Sequence, residues 1–134
     1  MTYETRELES AAAAKVLGCE YEQWRFPDNG PEWDEIAGAL RKLNPRRVWA
    51  PLSEDGGHPH HNSIGSIAGA LWPQTVYYAT YTHARGKTTT GWKVEAREGW
   101  EIIKREAMAC YVSQARHPQC AVAFSDWEID EYLS

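Results

Sequence analysis

RRVWAPLSEDGGHPHHNSIGSIAGALWPQTVYYA, residues 46–79, decides how the rest of the chain is read. Val48 to Leu52 is a short apolar run that predicts a strand covered on both faces. Gly56-Gly57 then opens a loop carrying three of the chain's five histidines, His58, His60 and His61. From about Asn62 to Leu71, Ile64, Ile67, Ala68 and Leu71 recur at helical spacing, and Trp72-Pro73 stops the helix. Gly65 and Gly69, one turn apart, predict a close approach to a neighbour. Thr75 to Tyr81 is rich in β-branched and aromatic residues and predicts a second strand. Strand, helix, strand in this spacing is a crossover unit, which joins parallel strands.

Upstream, Trp33, Ile36, Ala37 and Leu40 place a helix over Glu32–Leu43, with acids in its first turn, Arg41 and Lys42 in its last, and Asn44-Pro45 as its stop. FPDNGP, residues 26–31, is a turn, and Cys19 to Trp24 alternates loosely enough to predict a short strand. Tyr3 to Leu17 is a helix closed by Gly18, with Leu8, Ala12 and Val16 as its narrow apolar stripe. Downstream come a polar loop from His83 to Lys93, a helix over Glu98–Gln114 and a capping box at Ser125–Glu128. Helices and strands alternate along the chain, so the fold class is α/β with parallel strands.

With 134 residues and 43% hydrophobic content, the chain predicts one domain over residues 1–134. A net charge of −5 and a pI near 5.5 offer no basic footprint for nucleic acid, and Arg41, Lys42, Arg46 and Arg47 read as a solvated rim. Cys19, Cys110 and Cys120 are an odd count with no CxxC pair, which argues against a disulfide framework and a thiolate zinc site and points to a reducing, cytoplasmic setting. No apolar run reaches the roughly 18 residues of a membrane span, and MTYETRELES is unlike a signal peptide.

His58-Pro59-His60-His61 follows the C-terminal end of a parallel strand, the edge where open α/β sheets place ligands, and precedes a helix N-terminus. His58 and His61, three residues apart across a proline, could both face one cleft, and neutral imidazole is a common zinc ligand. A solvated polar turn is the plainer alternative.

Four stretches together resemble the PIG-L/LmbE family of zinc-dependent N-deacetylases acting on N-acetylglucosamine-type amides. Arg6-Glu7-Leu8-Glu9 with Ala11–Ala14 and Leu17-Gly18 resembles its R-x-x-E…LG helix, and Pro27-Asp28 a following acidic loop. Val48-Trp49-Ala50-Pro51 with Gly56 to His61 resembles its strand and H-P-D-H motif, and Lys104 to Gln114 its K-x-x-A-L-x-x-Y-x-S-Q helix.

The resemblance implies a Rossmann-like three-layer sandwich with a mostly parallel sheet, and a zinc cofactor. By position, His58 would be the catalytic histidine that steadies the oxyanion and protonates the leaving amine. His61 would be a metal ligand, and Arg6 and Asp28 substrate-contacting residues. His60 stands where the family has Asp, so His60 or Asp55 would serve as second-shell or substitute ligand. The family's opening A-H-P-D-D-E strand has no counterpart here, which implies an N-terminally truncated version of the fold. A sheet edge would then be exposed, and a homo-oligomer or a partner chain supplying the missing strand is expected. The implied substrate is a small N-acetylated amino sugar or sugar conjugate; a saccharide-binding or interaction module without catalysis, or one half of a split deacetylase, is the alternative.

Overall fold

Pro59 begins a helix three residues earlier than the apolar spacing alone suggests, because proline suits a first helical position, where an N–H would go unused. That shift moves His60 and His61 out of a loop and into a helix in the computed structural model, which describes residues 2–79, 92–95, 97–117 and 132–133. Of the loop expected over His83–Lys93, residues 83–91 lie outside the described residues, as does the capping box at Ser125–Glu128, and Trp92–Lys93 form a short strand. The chain divides into two compact units, the first Met1–Trp24 with Val94–Asp130 and the second Arg25–Lys93 with Glu131–Ser134.

In the first unit, α1 spans Tyr3–Leu17, as its composition predicts. Thr2 caps it by accepting the Thr5 N–H at 3.2 Å, and Gly18, at φ 70°, closes it in the left-handed conformation glycine adopts without strain. Its buried residues are Ala13 and Ala14, whereas Leu8 is 72% exposed, so the expected Leu8–Ala12–Val16 stripe is not the packed face. Small residues win because α1 lies along α4, Trp100–Ala109, whose own buried residue is Ala107. The single helix expected over Glu98–Gln114 is two: α4, then α5 at Val112–Ala115, interrupted at Tyr111, whose ψ of 57° is not helical. Cys19 to Trp24, expected as a strand, has no regular structure.

The second unit holds α2 at Trp33–Arg41, β1 at Trp49–Pro51, α3 at Pro59–Leu71, β2 at Val76–Tyr78, β3 at Trp92–Lys93 and β4 at Tyr132–Leu133. β1 and β2 are parallel, with Trp49 opposite Val76 and Pro51 opposite Tyr78. The Val76 N–H donates to Val48 O and the Leu52 N–H to Tyr78 O, both at 2.9 Å. The strand order is β1-β2-β4-β3, and β4 runs antiparallel to both neighbours. The fold is α/β around that parallel pair, but the described sheet is mixed rather than mostly parallel.

β1 is not covered on both faces either: Ala50 is 2% exposed, Trp49 53%. On its covered face α3 comes very close. A Cβ at Gly65 would collide with the Pro51 carbonyl oxygen, which is the physical reason for glycine there, while one at Gly69 would meet the Tyr77 hydroxyl, the end of a side chain that can move. At the far end of α3, the Thr75 hydroxyl donates to Trp72 O at 2.6 Å and Ala68 O at 3.2 Å. These contacts fix α3 on β1, so the first turn of α3 is set beside the C-terminal end of a parallel strand.

Candidate functional site

His58 takes the N-cap of α3, with extended φ −68° and ψ 130°. Its Nδ1 accepts the His60 N–H at 3.2 Å, satisfying one of the donors a helix start leaves over. A nitrogen that accepts carries no hydrogen, so neutral His58 holds its proton on Nε2, on the other side of the ring.

The three imidazoles cluster. The His58 ring centroid lies 5.1 Å from that of His60 and 5.0 Å from that of His61. All three side chains are half-buried, and the edge of Trp33, from α2, meets His60 at 5.7 Å between centroids and an interplanar angle of 70°. His61 is held below the ordinary imidazole pKa, first by burial and then by the charges His58 and His60 can carry. It is therefore kept neutral, the form in which imidazole binds metal.

The loop before His58 is tied to α3 by Asn62. Its Oδ1 accepts the Glu54 N–H at 3.0 Å and its Nδ2 donates to Glu54 O at 2.7 Å. Next to this loop, Trp33, Asn62, Ser63, Ser66 and Ile67 line an open groove of about 350 Å³.

The residues expected by position are distributed as follows. His58, His60 and His61 are brought together. Asp55 lies in the turn ahead of Gly56 and is exposed, as is Asp28 in the segment before α2. Arg6 is exposed on α1 in the first unit, where its charge helps lower the pKa of Glu9. His60, expected as a second-shell or substitute ligand, has its backbone N–H on His58 Nδ1 and its ring packed on Trp33.

The family model of PIG-L, described as GlcNAc-PI de-N-acetylase, matches residues 2–72. The chain belongs to the PIG-L family. The match runs through α1, α2, β1 and α3 and so contains the whole histidine cluster, while Lys104–Gln114 lies beyond it. No curated protein and no solved structure matches.

At family level the activity is that of a deacetylase hydrolase on N-acetylglucosamine-type substrates, generally zinc-dependent. A catalytic zinc takes three protein ligands and a water. Among the described residues, no group of three or more His, Cys, Asp or Glu side chains is placed to hold a metal ion. The described residues therefore do not by themselves fit such a site. No described helix is long and apolar enough to cross a membrane.

Asn62 and Trp33 are the site residues that sequence reading passes over. Trp33 reads as a core or lid residue from its helical spacing. The signal for Asn62 is weak, an amide-bearing residue in the first turn of a helix whose cap is a histidine.

Proposed function

We propose that the chain is a hydrolase of the N-deacetylase type, acting on the amide of an N-acetylated amino sugar or sugar conjugate, on a single domain of Rossmann-like three-layer form. The observation that supports this most is the cluster of His58, His60 and His61 at the start of α3, beside the C-terminal end of β1 and inside the family match. Ligands of open α/β sheets bind at that edge.

In this reading His58 meets the substrate's carbonyl oxygen. Its Nε2–H, opposite the Nδ1 that caps the helix, donates to the oxygen as negative charge develops there, and a donor fixed in advance stabilises that charge most. Giving the proton on to the leaving amine is the second task the position suggests. Doing so from an imidazolium would require Nδ1 to be protonated and the cap bond from His60 to break, so the geometry favours the oxyanion role. By the resemblance His61 would be one ligand to a zinc ion that would polarise the amide, though the described residues offer no full ligand set around it. Asp28, in the same unit as the histidines, is the residue expected to contact the substrate, and Asp55 the second-shell or substitute ligand.

The test is release of free amine from methyl N-acetylglucosaminide with zinc supplied, together with the zinc content of wild type and His61→Ala. Amine release that falls by about 100-fold in His58→Ala supports the reading. Absence of both amine release and stoichiometric zinc in the wild type removes it.

The groove favours a second reading, a saccharide-binding or interaction module without turnover. An indole wall with Ser63, Ser66 and Asn62 beside it suits a sugar ring, which offers an apolar face and hydroxyl edges. Saturable binding of the same glycoside, unaccompanied by amine release and lost in Trp33→Ala, selects this reading.

A further inference from the structure

We infer that Asn62 is the positioning residue for His58: its carboxamide locks the loop of residues 54–57 to α3 and so holds His58 on the helix cap. This deepens the hydrolase reading of His58 and rests on it, and the two are tested by separate measurements.

The side chain of Asn62 pairs with both main-chain groups of one residue. Oδ1 takes the Glu54 N–H at 3.0 Å and Nδ2 gives to the Glu54 carbonyl at 2.7 Å, as a neighbouring strand would. Its own N–H donates to His58 O at 3.0 Å, the first backbone bond of the helix, so the side-chain clasp and the helix start meet at one residue. The Gly57 N–H donates to the same Glu54 carbonyl at 3.1 Å, closing the turn. Gly57 sits tight under this clasp: a Cβ there would come within 2.9 Å of Asn62 Oδ1 and 3.1 Å of Glu54 O.

Asparagine is the side chain that fits. Aspartate keeps the acceptor but sets a second carboxylate oxygen against the Glu54 carbonyl, glutamine is one methylene longer, and alanine offers neither group. His58 follows directly on Gly57, the last residue of the closed turn, so the clasp leaves the His58 backbone little freedom. With the backbone held, Nδ1 stays on the His60 N–H and the proton stays on Nε2. Histidine is not among the strong helix caps, and the clasp supplies the order that the cap alone would not.

The experiment follows the His58 imidazole nitrogens in long-range proton–nitrogen spectra of labelled full-length protein, at one pH above the imidazole range. In wild type, Nδ1 of His58 is the hydrogen-free nitrogen. In Asn62→Ala and Asn62→Asp its resonance moves toward the average of the two tautomers. Gly57→Ala produces the same movement from the other side of the clasp, and the double variant Asn62→Ala/Gly57→Ala goes no further than the larger single change, because both disrupt one device. Ser66→Ala, which removes only the 3.5 Å hydroxyl contact with Ser53, leaves the resonance in place. Circular dichroism confirms that each variant is folded; if Asn62→Ala is not, Asn62→Asp and Gly57→Ala carry the test.

A folded Asn62 variant with an unchanged His58 signal overturns the inference. With methyl N-acetylglucosaminide and zinc, Asn62→Asp is expected to lower kcat roughly 10- to 100-fold while KM stays within about twofold. A loss entirely in KM overturns the positioning role. If the wild type releases no amine, it is the hydrolase reading that fails, and the nitrogen spectra still decide the role of Asn62.

Discussion

The Glu9 carboxylate holds Ser113 with both oxygens, Oε1 accepting the backbone N–H and Oε2 the side-chain hydroxyl, each at 2.7 Å. The break at Tyr111 gives this N–H to Glu9; in an unbroken helix it would bond to the carbonyl four residues back. The two donors pull the Glu9 pKa below the ordinary 4.5, the backbone bond most, with Arg6 adding a smaller push. A carboxylate whose folded pKa is depressed gives stability that is present above its unfolded pKa and is lost as pH falls through the folded value. Resistance to urea should therefore fall as pH drops below about 4.5, and Glu9→Gln should be less stable at neutral pH and flatter below it. Equal acid sensitivity in Glu9→Gln would show that other carboxylates control this range.

His61 carries the opposite kind of shift for a base. Burial, then the neighbouring His58 and His60, lower its pKa from the ordinary 6.5, so the unfolded chain binds the proton first as pH falls. Its neutral burial is harmless above about 6.5 and costs stability as pH drops from there toward the folded value. Urea midpoints measured across that interval should fall in wild type and fall less in His61→Gln. Identical slopes would remove His61 as the source.

Much of this architecture is written locally. The C-terminal end of α1 follows from Gly18, the two glycines of α3 announce a close approach, and the β1–α3–β2 unit follows from its apolar spacing. What could not be read depends on partners distant in sequence. Glu9 and Ser113 are 104 residues apart, and nothing near either marks the other. The Leu8 stripe looks like a packed face by periodicity, but alanines let α1 and α4 approach and so Ala13 and Ala14 are buried. The antiparallel β4 brings Tyr132–Leu133 between β2 and β3, a return no crossover pattern signals. Within the site, the histidines were legible and their capping geometry was not, since that depends on Pro59 starting the helix early.

Gly65→Ala tests the seating of α3 on β1. Alanine favours helix over glycine by about 1 kcal/mol, yet its methyl would be driven into the Pro51 carbonyl oxygen, which belongs to a strand and cannot swing aside. A net loss of about 1–3 kcal/mol is expected by thermal or urea unfolding. Gly69→Ala meets the Tyr77 hydroxyl instead, the end of a side chain that can rotate, so its loss should be smaller. A Gly65→Ala protein as stable as wild type would mean that α3 slides on β1.

Self-association is the last expectation to test, and β1 shapes its form. β1 ends the strand order, and since Val48 and Leu52 turn their bonding groups to β2, Trp49 and Pro51 turn theirs outward. Pro51 has no N–H, and its carbonyl faces α3 at Gly65, so among the described residues of this edge an added strand would find the Trp49 groups to pair with. The half-exposed Trp49 side chain is then the better anchor, burying its indole against a second copy or a partner chain. Light scattering on the eluting protein should give a mass above one chain, and Trp49→Ser should return it to that of a monomer while leaving circular dichroism unchanged. A folded wild-type monomer at high concentration would refute self-association through this edge.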